Sequence, residues 1–106
     1  MKEIKAILRS FKIDEVLFKL YEIEGLPGLT VSEVKSFGKK REEKTQRKPI
    51  LKSKLEVVVA DDMVDLVVSV IKQQAYTGNL GDGKIFIYDV KDVVKIRTDD
   101  RGEDAL

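Results

Sequence analysis

The chain contains no cysteine and no histidine. The first absence excludes disulfides and thiolate metal sites. The second removes Ser-His and Cys-His nucleophiles and the usual zinc ligand sets. Long apolar runs are also missing. The opening "MKEIKAILRS" has no stretch of signal-peptide length, and nothing approaches the roughly 20 apolar residues of a membrane span, so a cytoplasmic protein with no membrane insertion is expected. Neither sign of charge dominates: 20 Lys and Arg stand against 19 Asp and Glu, which points globally to neither nucleic acid nor a lipid surface. Adjacent carboxylates occur as Asp61-Asp62 and Asp99-Asp100. The first pair is placed to cap a helix and the second lies in a polar tail, so neither supplies acid–base chemistry. No catalytic or metal-ligating constellation is evident, and the chain reads as a non-enzyme.

What is present suits one domain. The 106 residues, 42% apolar and 37% charged, allow one modest core under a heavily charged surface. "KEIKAILRSF" alternates, with Ile4, Ala6 and Leu8 on one side, and predicts a strand. Ile13, Val16, Leu17, Leu20 and Ile23 then recur at helical spacing, with Asp14 and Glu15 at the positive end of the helix dipole. Gly25, Pro27 and Gly28 stop that helix. "LTVSEVKSF" predicts a second strand and "KLEVVVA", residues 54–60, a third. A second helix follows, with Asp61 or Asp62 as its cap, Val64, Val67, Val68, Ile71 and Ala75 as its apolar stripe, and Gly78 as a left-handed C-cap. "KIFIY" is a further strand, "VVKIR" an additional short one, and residues 98–106 a polar tail. The order strand, helix, strand, strand, helix, strand is that of an α+β ferredoxin-like βαββαβ sandwich, with both helices on one face of an antiparallel sheet. The other face, expected to be bare and apolar, predicts self-association.

Three segments carry the functional signal. "TGNLGDGK", residues 77–84, has the G-x-x-x-x-G-K spacing of a phosphate loop but follows it with Ile85, where Ser or Thr is required. It also leaves a helix and enters a strand, the reverse of a P-loop. Its glycines can still converge backbone amides on an anion, with Lys84 adding charge. An ordinary Asp-Gly turn explains the same residues about equally well. In "VVKIRT", Lys95 and Arg97 would share one strand face and clamp a polyphosphate, although a solvated face is the commoner use of such a pair. The insertion 38–53 with Lys54 has eight Lys or Arg against Glu42 and Glu43, leaving the rest of the chain net acidic. With no interleaved aromatic residue it makes a poor nucleic-acid grip. It reads better as an effector loop whose Lys40, Arg41, Lys44 and Arg47 meet a partner, with Ile50 and Leu51 as the anchor.

These stretches together resemble the PII signal-transduction proteins, the nitrogen regulatory family. "T-x-x-x-G-D-G-K-I-F" is similar to the family's B-loop signature, and "VVVADDMVDLVVSVI" to its third strand and second helix. "KAILRSFKIDEV", "TVSEVKSFG" and "RGEDAL" also match, so the resemblance covers nearly the whole chain. It implies a homotrimer with the sheets facing inward and ATP or ADP bound in the clefts between subunits. Gly81, Asp82, Gly83 and Lys84 would hold the phosphates, and Lys95 and Arg97 would reach across from the neighbour. Thr30 and Val58 would meet the adenine. Gly38 and Lys39 would begin the T-loop, about residues 38–53, which would act on a transporter or a metabolic enzyme.

The chain also departs from the family. Members that sense 2-oxoglutarate place a glutamine where this chain has Lys40, and an ammonium cannot ligate Mg²⁺. A Mg-ATP-2-oxoglutarate complex is therefore not expected. The T-loop is short and lacks the tyrosine of the uridylylation site and the usual phosphorylated serine. Lys95 replaces an arginine, losing bidentate geometry. These features suggest a divergent PII-like branch, and "YTGNLGDGK" resembles a group associated with transport or metal efflux. The competing readings are a nucleic-acid-binding module using the basic loop, a regulator linked to metal efflux, and a weak ATPase of negligible turnover.

Overall fold

The computed structural model describes residues 1–38 and 49–106. Alternation and helical spacing translate directly into six main elements. These are β1 (Lys2–Arg9), α1 (Ile13–Leu20), β2 (Leu29–Ser36), β3 (Ile50–Val59), α2 (Val64–Ala75) and β4 (Gly83–Asp89), with short 3₁₀ turns leading into both helices. The strands form one antiparallel sheet in the order β2-β3-β1-β4. The two central strands are those with the clearest alternation. Ile4, Ala6 and Leu8 of β1 and Leu55, Val57 and Val59 of β3 are buried against Val16 and Leu20 of α1 and Val67, Ile71 and Ala75 of α2. One helical layer on one sheet face is the ferredoxin-like sandwich, as the element order predicts.

The opposite sheet face is not bare and apolar. Glu3, Lys5 and Ile7 of β1 stand beside Lys54, Glu56 and Val58 of β3 and Lys84, Phe86 and Tyr88 of β4. Lys54 pairs with Glu56 at 3.6 Å, and the Lys5 ammonium lies 4.8 Å from the Tyr88 ring centroid. The face is a charged ladder with aromatic residues at one edge, so apolar area alone does not drive self-association there.

Other expectations need correction. β3 begins at Ile50, four residues before the expected start. Ser36 pairs with Ile50, and Lys35 with Leu51, so the insertion is bounded by 37 and 49 rather than 38 and 53. Ile50 and Leu51 remain exposed, but as the first rungs of a ladder and not as a loop anchor. "VVKIR" is not a strand. Val94 makes a single bridge to Arg101, and residues 96–98 turn between them. Its hydrogen bonds run within residues 92–102, which close the segment on itself. The tail is not featureless either: residues Gly102–Ala105 form a 3₁₀ turn and Leu106 is half-buried. Neither Asp61 nor Asp62 caps α2 through its side chain. Asp61 instead takes the N-terminal ammonium at 2.8 Å, and that charge holds its carboxyl below the usual range. Gly78 has φ +87° but lies beyond the helix end, where Tyr76 is already extended.

Candidate functional site

Residues 77–83 form a loop built around one carboxylate. Asp82 Oδ2 accepts the amides of Thr77 and Gly78 at 2.8 and 2.9 Å, and Oδ1 accepts Arg9 Nε at 3.0 Å and the Thr77 hydroxyl. These donors, Thr77 first, hold the Asp82 carboxyl far below the ordinary carboxylate range. Asp82 is therefore the hub of the loop, and its oxygens are turned to the protein. Gly78, Gly81 and Gly83 all have positive φ, the left-handed conformation that this tight loop requires.

Two cations draw the loop's carbonyls down. Arg9 at the end of β1 donates to the Leu80 carbonyl at 2.6 Å, and Lys52 of β3 donates to that of Gly81 at 2.5 Å. A trans peptide directs its N–H opposite to its C=O. The amides of Gly81 and Asp82 therefore point away from both cations, and none of the described side chains or backbone groups accepts them. Lys52 is only 7% exposed, and among the described residues no carboxylate pairs with it or with Lys84. A nearly buried ammonium without an anion is costly unless something negative completes it. The cleft beside it, about 730 Å³, is lined by Gly38, Lys52, Gly81, Gly83, Lys84 and Phe86. Directed amides and two unmatched ammonium groups make this an anion-binding geometry.

The remaining candidates lie elsewhere. Thr30 is on β2 and Lys84 on β4, the two outer strands, three strand spacings or ~14 Å apart across the sheet. Thr30 and Val58 instead line a second cleft of about 540 Å³ with Glu56, Val93 and Leu106. Lys95 and Arg97 sit on the turn that begins just after Val93. Asp92 fastens this turn by accepting from Arg101 at 3.0 Å and from the amides of Val93 and Gly102. Arg101 above all, then the Val93 amide, hold the Asp92 carboxyl below its usual range. Between Lys95 and Arg97, Ile96 is 98% exposed at the tip. Lys39, Lys40, Arg41, Lys44 and Arg47 fall outside the described residues.

Sequence reasoning missed Arg9, Lys52 and Thr77. Arg9 and Lys52 are direct partners in the β1–β3 register. That register is the one signal joining them, and it is hidden while the start of β3 reads as loop.

Asp82 gives a pH prediction. A depressed carboxyl pKa stabilises the loop above the unfolded value of about 3.9 and loses that contribution as pH falls through the folded value. The Thr77 and Gly78 amide resonances should stay fixed from pH 8 down to about 4 and move only in stronger acid. Titration of both near pH 5 would show that Asp82 is not their partner.

Residues 1–100 match the family model for nitrogen regulatory protein P-II. Proteins named nitrogen regulatory protein P-II from Rhodospirillum rubrum and Azospirillum brasilense are each 42% identical over 113 residues, with all of both chains covered. Nitrogen regulatory protein P-II 1 of Escherichia coli K12 is similar to the same extent. Because 113 aligned positions exceed the 106 residues here, the relatives carry residues that this chain lacks. With the family model spanning nearly the whole sequence and relatives aligned end to end, the chain belongs to the P-II family of nitrogen regulatory proteins, which are signalling regulators and not enzymes.

Proposed function

We propose that the chain is a cytoplasmic homotrimer that binds ATP or ADP between subunits and regulates a transporter or metabolic enzyme through the loop around residues 38–49. One observation carries this reading: the site residues fall into two clefts towards opposite ends of the strands, one beside Ile7, Lys52 and Gly83 and the other beside Glu3 and Val58. Six residues of β3 separate Lys52 in one cleft from Val58 in the other, roughly 20 Å of extended strand, so each cleft holds half of a site that a second copy can complete. The first half-site, with Gly38, Lys52 and Gly81–Lys84, offers the amides and ammonium groups that phosphates require. The second, with Thr30, Val58 and the turn bearing Lys95 and Arg97, offers a partly apolar wall for the base and two cations for the phosphates. Thr30 and Val58 thus come from the same subunit as Lys95 and Arg97, opposite the phosphate loop of the neighbour. Asp82 contributes by shaping the loop, since its carboxylate is fully engaged and would repel a phosphate.

Regulation requires ATP and ADP to favour different loop conformations, because a ligand with equal affinity for both states shifts nothing. The cation at Lys40 disfavours a Mg²⁺ and 2-oxoglutarate complex. Calorimetric titration with ATP, ADP and AMP, each with and without Mg²⁺ and 2-oxoglutarate, tests the reading. Binding of ATP and ADP with one site per subunit is expected, with 2-oxoglutarate changing the affinity less than about twofold. Absence of adenylate binding at millimolar concentration would reject the sensor, and strong Mg²⁺-dependent synergy would reject the argument from Lys40.

A further inference from the structure

The helical layer has a second apolar stripe that the core covers only in part: Met63, Val70 and Ile23 pack against the core, and Leu66 is left exposed. Val67, Ile71 and Ala75 of α2 face the sheet, whereas Met63, Leu66 and Val70 face a groove beside the end of α1. Leu66 is 52% exposed there, and Ile23 completes the floor. The groove measures about 720 Å³, with Glu22 and Glu24 on its α1 side. Phe18 of α1 and Tyr21 just after its end are both largely exposed. The surrounding charge is one-sided. Residues 12–24 and 61–75 carry seven carboxylates and three lysines. Lys19, the cation lining the groove, is already paired with Glu22 at 3.6 Å.

We propose that this groove docks a basic amphipathic helix of another protein, with leucine-type anchors on one face and Lys or Arg on its flanks. An apolar floor with a charged rim is the pattern of helix-in-groove recognition, and the acidic field steers a cationic partner to it. The chain's own basic insertion does not meet the requirement. Its aliphatic pair, Ile50 and Leu51, is held in the ladder opposite Ser36 and Lys35. The groove is lined by neither nucleotide half-site, so it gives the protein a contact surface independent of the loop around residues 38–49.

The test uses the full-length protein and a fluorescein-labelled 18-residue Lys/Leu peptide with all leucines on one helical face. Its controls are a scrambled peptide of the same composition and an unlabelled peptide of residues 37–54. Anisotropy should show salt-sensitive binding of the amphipathic peptide, at least tenfold tighter than the scrambled one. Glu22→Lys with Glu24→Lys should weaken it roughly tenfold or more, and Leu66→Ser roughly fivefold. Glu103→Lys, outside the groove, should leave it unchanged. Thermal melts verify that the variants fold, and their ATP affinity should be unaltered, which separates this surface from the nucleotide reading. Equal binding of the scrambled peptide, insensitivity to Leu66→Ser, no binding at 1 mM, or stronger competition by the 37–54 peptide would each overturn the proposal.

Discussion

Gly83→Ala should destabilise the protein by about 2–3 kcal/mol, the scale of a strained backbone position, and lower its melting temperature by roughly 10–20 °C. Gly83 has φ +109°, a region that side-chain-bearing residues rarely enter. It is also the first residue of β4, paired with Leu8. A Cβ there would fall far inside the contact distance of the Ile7 carbonyl oxygen, a backbone atom that cannot rotate away. Relief requires β4 to separate from β1 at the end that supports Lys84. Nucleotide affinity should therefore fall together with stability. Gly28→Ala, where a Cβ meets open space and φ is not positive, is the matched control and should leave the melting temperature within a degree or two. Equal melting of the two variants would mean that the loop and strand adjust freely, and that Gly83 has no structural reason to be glycine.

Asp82→Asn is expected to separate affinity from stability. The amide keeps one acceptor oxygen and substitutes donors for the other. It then meets the Arg9 guanidinium and the Thr77 hydroxyl on one side, or the Thr77 and Gly78 amides on the other, with at least one clash of donor against donor. Arg9 also loses its carboxylate. No core residue is touched, so the fold should melt within a few degrees of the parent. ATP and ADP affinity should drop on the order of tenfold or more, because the ligand must then order the loop that Asp82 normally orders in advance. The loss should appear for both nucleotides, since it concerns the phosphate cradle and not the base. Unchanged affinity would place the phosphates elsewhere. A collapse of stability equal to that of Gly83→Ala would make Asp82 a folding residue first.

Much of the fold was legible because its signals are local. Ile4-Ala6-Leu8 and Leu55-Val57-Val59 alternate without interruption, and Val67, Ile71 and Ala75 recur at helical spacing. The glycine loop of residues 77–84 was legible as a motif, but the role of Asp82 was not. Sequence suggests a ligand-facing carboxylate, whereas four donors turn it inward. The start of β3 was obscured because Ile50–Ser53 follow the polar, basic stretch "KTQRKP", and composition there resembles solvent-facing loop. What fixes them as strand is their pairing with β2, which no local pattern encodes. "VVKIR" failed in the opposite direction. Its β-branched residues favour a strand, but the bonds from Asp92 to Arg101 and Gly102 close the segment on itself. The grouping of Thr30 with Val58 and away from Lys84 emerges only from strand order.

The bond from Arg9 to the Leu80 carbonyl spans 71 positions of sequence, and that from Arg9 to Asp82 spans 73. Contacts of such separation are rewarded only after a long stretch of chain has given up its freedom. The facing rung Arg9–Lys52 gains nothing until they form, because two cations opposed across neighbouring strands repel. During folding, the central strands can zip from the Lys2–Val59 end, while the Arg9–Lys52 end waits for β4 to arrive. The cradle should then set after the central strands, which gives a regulator a ligand site completed without rebuilding the core.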